Sequence, residues 1–370
     1  MLFCLLVTIL LAACSVIVCV VELNQREPQI QQAEDEQKIM PSISIEVVKD
    51  DTWGTNTENE EDENMERPWE QPVEPIAEFS GELPRIVCWG DSLTESVDSH
   101  SAYPDVLAEL SGTRVVNYGV RAETTRAIAM REGAVPMYTS ECVISANAIP
   151  VPLQVTTKSG KSVQLLKNGS AGVNPCYVGG VVGNLSYDST GDLYYFTRAE
   201  GGEDVYVEAG SRLTTNGMAS KQKGDVLVIF TGTNDGPDTS SIYDVIEVQR
   251  AMLDYADCED YVIIGLTSKE VIPEVEAVNE ILAEEYGEHF LDVRSYFLAY
   301  GLAEAGIEPT SRDKADLKAG EIPTSLRQDY VHGNEYFYQI LAGQIYRKMQ
   351  YLGYLPLDMS MGETSTEEPE

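Results

Sequence analysis

Ser92 follows Gly90-Asp91 at the end of a short apolar run, Arg85-Ile86-Val87-Cys88-Trp89, and precedes a segment of helical spacing. A serine at the carboxyl end of a parallel strand lies where ligands collect in open α/β sheets. At a helix start it also lies near free backbone N–H groups and the positive end of the helix dipole, which can stabilise an oxyanion. Taken alone, the same residues read equally well as a helix cap. A serine nucleophile needs a base, and the chain holds three histidines. His100 lies in a polar stretch and His289 opens a strand candidate. His332 sits in Asp329-Tyr330-Val331-His332-Gly333-Asn334, just before the last helical segment. An acid three residues before a histidine, in a loop, can turn back to accept the imidazole Nδ1–H. That aims Nε2 at a nucleophile and stabilises the imidazolium. Ser92, His332 and Asp329 are therefore the candidate catalytic set.

Two further pieces stand at strand ends. Thr231-Gly232-Thr233-Asn234-Asp235 closes the run Asp225 to Phe230, and an asparagine amide there can donate to a developing oxyanion. Asn117-Tyr118-Gly119 closes Arg114 to Tyr118, and a glycine lets its backbone N–H approach the same point. Each alone reads as turn chemistry.

The elements that would position these groups alternate. Apolar strands are expected at 85–89, 114–118, 225–230, 261–266 and 289–293. Helices are expected over 101–110, 242–255, 275–282 and 335–351. Continuous apolar strands between helices imply a parallel sheet covered on both faces. From Gly133 to Lys223 the alternation stops. This stretch is rich in Val, Thr, Tyr and Gly, with turns such as Lys167-Asn168-Gly169, and reads as a β-rich insertion.

Four blocks then stand in order: Gly90-Asp91-Ser92-Leu93, Asn117-Tyr118-Gly119, Gly232-Thr233-Asn234-Asp235 and Asp329-Tyr330-Val331-His332. In that order and context they resemble the SGNH (GDSL) hydrolase family over 83–132 and 224–357. The resemblance implies a three-layer α/β/α, flavodoxin-like fold with a five-stranded parallel sheet, no cofactor or metal, and hydrolysis of an ester or thioester. It implies an oxyanion hole made by the Ser92 and Gly119 N–H groups and the Asn234 side chain, with Gly90, Asp91, Gly232 and Asp235 supporting the motifs. Relatives often carry a second glycine where this chain has Ala122, and the 133–223 insertion departs from the pattern.

The 370-residue chain carries 61 acidic and 25 basic residues, a net charge of −36. Such a balance opposes nucleic acid or anionic lipid as partner. Residues 1–21 are almost wholly apolar and long enough to cross a bilayer. They read either as a signal anchor or, through Leu11-Ala12-Ala13-Cys14, as a lipoprotein signal lipidated at Cys14. Either tethers the chain on the outer side of a membrane. Residues 22–82 are acidic and polar, as expected of a disordered spacer, and 358–370 resemble them. Cys142 and Cys176 could pair in an oxidising compartment, though no cysteine framework is evident. The expected activity is that of an extracytoplasmic serine esterase acting on acylated small molecules or glycans, with O-acetyl groups of the cell envelope first. A lipid-directed lysophospholipase or thioesterase and a noncatalytic carbohydrate-binding protein are the alternatives. Tyr177, Tyr187, Tyr194 and Tyr195 of the insertion either stack on sugar rings or form its own core.

Overall fold

In a parallel sheet covered on both faces, alternate residues of one strand feed two different cores, so every position of a central strand is apolar. Strand β1 (Ile86–Gly90) does this: Ile86 and Cys88 join one buried cluster, Val87 and Trp89 the other. The computed structural model describes residues 67–95 and 102–357. After β1 come helix α1 (Tyr103–Ser111), β2 (Val115–Gly119) and α2 (Thr125–Glu132). Pro104 opens α1, and a left-handed Gly112 ends it.

Nine short strands follow: β3 (Met137–Thr139), β4 (Cys142–Ile144), β5 (Val151–Leu153), β6 (Val155–Thr157), β7 (Cys176–Val178), β8 (Val181–Asp188), β9 (Leu193–Arg198), β10 (Val205–Val207) and β11 (Ser211–Leu213). They pair antiparallel in small sheets of two, three and four strands. One-turn helix α3 (Asn216–Ala219), in a stretch where no helix is expected, leads back to β12 (Val226–Phe230). Then come α4 (Ile242–Ala256), β13 (Tyr261–Ile264), α5 (Val275–Tyr286), β14 (Phe290–Leu291), α6 (Val293–Glu304), α7 (Ser311–Lys318) and α8 (Glu335–Tyr351).

The five-stranded sheet runs β14-β13-β12-β1-β2, parallel throughout. The first two strands of the chain lie to one side of β12 and the last two to the other. The winding direction therefore reverses between β1 and β12, and their carboxyl ends open a crevice there. Helices α1, α6 and α8 cover one face and α2, α4 and α5 the other, giving three layers. All five strands lie within two residues of their expected bounds. The fifth is shorter than expected, because Asp292 caps α6 by accepting from the Ser295 N–H and so ends the strand at Leu291. Helix α7, also not expected, begins at the capping box of Thr310 and Asp313.

The β-rich part has its own core, including Leu153, Val173, Phe196 and Leu213, and that core takes in Met130 of α2. Tyr194 belongs to it: the side chain is buried and its hydroxyl donates to the Val163 and Leu165 carbonyls, both 3.1 Å away. Its ring packs against that of Tyr187, with centroids 5.2 Å apart. Tyr194 is thus not available to stack on a sugar. Cys142 and Cys176 are free thiols. The spacer expected over 22–82 does not extend to its stated end. The Ile76 N–H donates to the Tyr351 carbonyl at 2.8 Å, and Arg347 of α8 donates to the Gln71 carbonyl at 2.8 Å. Among the described residues no helix is long and apolar enough to cross a membrane. Residues 1–21 and 358–370 lie outside the described residues.

Contact between the insertion and the sheet runs through Trp89. A Cβ on Gly217 would lie 2.6 Å from the Trp89 ring and 3.0 Å from the Arg131 carbonyl, neither of which can yield. Gly217→Ala should therefore destabilise the chain by about 1–3 kcal/mol. Gly343, inside α8, has only the Glu304 carboxylate near such a Cβ, at 3.9 Å. Gly343→Ala should stabilise by about 0.5–1 kcal/mol through helix propensity alone. Denaturant unfolding of both variants checks the pair; equal shifts would mean that the Trp89 contact does not hold the insertion.

Candidate active site

Ser92 stands on a turn that only glycine lets form. A Cβ on Gly90 would lie 2.8 Å from the Phe230 carbonyl and would collide with Thr94. Beyond it the chain turns sharply: the Thr94 and Glu95 N–H groups donate to the Asp91 carbonyl at 3.1 and 3.0 Å. The Leu93 N–H donates to Asp91 Oδ1 at 3.0 Å. The Ser92 N–H has no hydrogen-bond partner among the described residues. Ser92 is only 8% exposed.

Its hydroxyl donates to His332 Nε2 at 2.8 Å, and His332 Nδ1–H donates to Asp329 Oδ2 at 2.8 Å. A carboxylate only accepts, so Nδ1 carries the proton and Nε2 is the free base. The other oxygen, Asp329 Oδ1, accepts the Val331 and His332 N–H groups at 2.7 Å each. Burial works to raise the Asp329 carboxyl. The His332 N–H and ring, together with the Val331 N–H, outweigh burial and hold it below the ordinary carboxylate range. The loop is tied to the sheet where Ser268, beyond β13, donates its hydroxyl to the Tyr330 carbonyl at 2.7 Å. Gly333 is needed behind His332, since a Cβ there would enter the Phe337 ring. The three residues expected to act together are thus brought together.

Asn234 and Asp91 form the second group. Asn234 Nδ2 donates one hydrogen to Asp91 Oδ2 at 3.1 Å and the other to the Glu123 carbonyl at 3.0 Å. Two acceptors settle which way the amide faces. Asp235 accepts from the Thr125 N–H and hydroxyl at 2.8 Å each, joining the end of β12 to the start of α2. Gly232 supplies a left-handed turn at φ 118°.

The Gly119 N–H donates to the side chain two residues back, Asn117 Oδ1, at 2.8 Å. A Cβ at Gly119 would lie 2.5 Å from the Glu95 Cα, so the glycine allows β2 to approach the nucleophile turn. Asn117 completes that contact by donating Nδ2 to the Thr94 carbonyl at 2.8 Å. In the loop beyond, Ala122 is left-handed at φ 57°, and its N–H has no partner among the described residues. Ala122 lies one residue before Glu123, which holds Asn234. The sign in the sequence is its position: the resemblance drawn from the four blocks puts a second glycine here, the residue that left-handed backbone favours.

Of the other histidines, His289 stacks on Tyr261 away from these groups, and His100 lies outside the described residues. No group of His, Cys, Asp and Glu able to hold a metal ion occurs among the described residues. A cavity of about 360 Å³ adjoins Asp235, lined by Thr125, Arg126, Ser241 and Asp244 among others.

No family model and no curated protein matches the chain. Solved structures similar to it include proteins of the lipolytic G-D-S-L type and esterases. One is a member of the lipolytic protein G-D-S-L family from Veillonella parvula, at 13% identity and a TM-score of 0.34, covering 72% of this chain and 97% of that one. Another is a lipase/acylhydrolase from Enterococcus faecalis, at 14% identity and 0.37, covering 75% and 100%. A third is the acetyl xylan esterase AlAXEase, at 12% identity and 0.37, covering 71% and 98%.

Asp91 makes the site sensitive to pH. The carboxyl is 1% exposed, and burial pushes it up to about 7, against the pull of the Leu93 N–H and of His332. The native state therefore holds this proton more tightly than the unfolded chain, whose aspartates titrate near 4. The stability this contributes is complete below about pH 4 and is lost as pH rises to about 7, by about 1.4 kcal/mol per pH unit. Asp91→Asn removes that dependence. Between about pH 5 and pH 7 the wild type should lose about 2–3 kcal/mol relative to Asp91→Asn in denaturant unfolding. Parallel profiles for the two proteins would mean that Asp91 does not titrate in this window.

Proposed function

We propose that this chain is a serine hydrolase of the SGNH (GDSL) family that cleaves carboxylic esters, with short O-acyl groups on carbohydrate as its substrates. The observation that carries the reading is the unbroken chain of 2.8 Å hydrogen bonds from Ser92 through His332 to Asp329. His332 takes the hydroxyl proton as Ser92 attacks the ester carbonyl. The imidazolium then gives that proton to the leaving alcohol. Water, deprotonated by the same ring, releases the acid from the acyl-serine. The Ser92 N–H is a free backbone donor for the oxyanion, and the Gly119 N–H, now given to Asn117, is the second. Asn234 joins them by sharing a hydrogen now given to Asp91 or Glu123.

Two features support carbohydrate esters over lipid. Tyr330, between the two residues of the base, is 55% exposed and offers a flat aromatic face beside the reacting groups. The acidic balance of the whole chain also disfavours an anionic lipid surface. An extracytoplasmic, membrane-tethered location rests on residues 1–21 and belongs to the same proposal.

The test assays the full chain on nitrophenyl esters of increasing acyl length and on acetylated glycans, beside labelling by a fluorophosphonate probe. Ser92→Ala and His332→Ala should each lower kcat on the order of 10⁴-fold or more, and Asp329→Asn by less. Acetyl esters should be the best of the series. Preference for long acyl chains would replace the carbohydrate reading with a lipid one. A wild type that neither turns over esters nor takes the label at Ser92 would make the chain a binding protein on this fold.

A further inference from the structure

Arg131, in the last turn of α2, is 0% exposed, and no step of the proposed reaction uses it. Its Nε donates to Glu123 Oε2 at 2.7 Å, and Glu123 is itself only 3% exposed. Its Nη1 donates to two carbonyls at 2.9 Å each, those of Tyr118 at the end of β2 and Ala171 in the insertion. Its own carbonyl accepts the Thr215 hydroxyl at 2.6 Å, at the start of α3. Nη2 has no hydrogen-bond partner, and the guanidinium carbon stands 5.4 Å from the centre of the Trp89 ring. A buried ion pair of this kind is weak support for stability, since apolar residues of similar volume commonly serve as well. What such a pair does supply is fixed geometry.

The geometry at stake is that of Glu123. Its carbonyl accepts one of the two Asn234 amide hydrogens, and it follows the left-handed Ala122 with its free N–H. The loop is held from three sides. The Arg121 N–H and Nε donate to Glu95 Oε2 at 2.6 and 3.0 Å, tying the loop to the nucleophile turn. Asn234 holds the Glu123 carbonyl. Among the described residues Arg131 is the only partner of the Glu123 carboxylate, and Arg131 in turn donates to the Ala171 carbonyl of the insertion. The insertion also touches the loop directly, since a Cβ on Gly169 would lie 3.0 Å from the Val120 side chain.

We propose that the buried Arg131–Glu123 pair is a positioning device for the Asn234 amide, through which the β-rich insertion, without contributing a reacting group, sets the geometry of the oxyanion site. This rests on the hydrolase reading above. Arg131 and Glu123 are positioning residues and act through Asn234. Losing the pair lets the Glu123 carbonyl shift and leaves the amide with one fixed acceptor instead of two. The cost then falls on transition-state stabilisation, and so on kcat more than KM.

The test is a double-mutant cycle in the full chain, read with nitrophenyl acetate. Arg131→Met keeps volume and removes the charge and donors. It should lower kcat about 10–100-fold while changing KM less than about threefold, and Arg131→Lys should recover part of the loss. In an Asn234→Ala background the same Arg131→Met should cost less than about twofold, because the group it positions is gone. Losses that simply multiply in the double variant would overturn the proposal, as would unchanged kcat in a folded Arg131→Met protein. If Arg131→Met does not fold, Glu123→Gln replaces it in the same cycle with the same criteria. The Asn234 side-chain amide signal in NMR gives a readout independent of turnover. It should shift and exchange faster in Arg131→Met or Glu123→Gln, and an unmoved signal would overturn the proposal even for an inactive protein. Absence of Ser92-dependent turnover in the wild type is a separate result: it would end the hydrolase reading and leave the amide signal to decide the positioning.

Discussion

Two parallel strands can deliver groups to one point only if their ends lie side by side, and β1 and β12 pair in register from Ile86 with Val226 to Gly90 with Phe230. Everything in the site follows from that register. Beyond Gly90 the chain must turn at once, because a side chain there would strike the Phe230 carbonyl. The turn lifts Ser92 over the crevice and points the Asp91 carboxylate back toward the neighbouring strand. Asn234, four residues past the end of β12, meets that carboxylate at 3.1 Å. The reversal of winding at this pair keeps the crevice clear, since the crossovers on its two sides lead away in opposite directions.

The electrostatics place opposite demands on two aspartates. Asp329 is part-exposed, ringed by N–H donors, and held ionised beside the histidine it orients. Asp91 is buried, meets fewer donors, and titrates near neutrality. It accepts one hydrogen of Asn234. One carboxylate thus orients His332, and the other joins the Ser92 turn to the Asn234 amide at a cost in stability that grows with pH.

The insertion changes how this arrangement is braced. Its strands build a core of their own, yet it meets the α/β part at Trp89, Tyr118 and Arg131, all beneath or beside the β2 loop. Burial of Trp89 depends on glycines at 172 and 217, where the insertion comes within van der Waals reach of the ring. The loop carrying Ala122 and Glu123 is therefore packed between the nucleophile turn on one side and the insertion on the other.

Much of this was legible in the residues themselves. A strand buried on both faces must be continuously apolar, so the strands of the sheet stand out as runs that end in glycine or at a turn. An acid and a histidine three residues apart in a loop can meet without help from the rest of the fold, and Asp329 and His332 do. What the sequence could not decide is which strand ends become neighbours, because Ser92 and His332 meet across 240 residues of chain. It also could not separate two uses of glycine. Gly119 serves the close approach of β2 to the backbone at Glu95, whereas the left-handed turn beyond it falls on Ala122, where no glycine marks it. Nothing in the sequence around Arg131 marks it as buried, and Tyr194 on an alternating strand reads as either face. Burial of both is a property of what packs against them, and those partners come from segments tens of residues away in the chain.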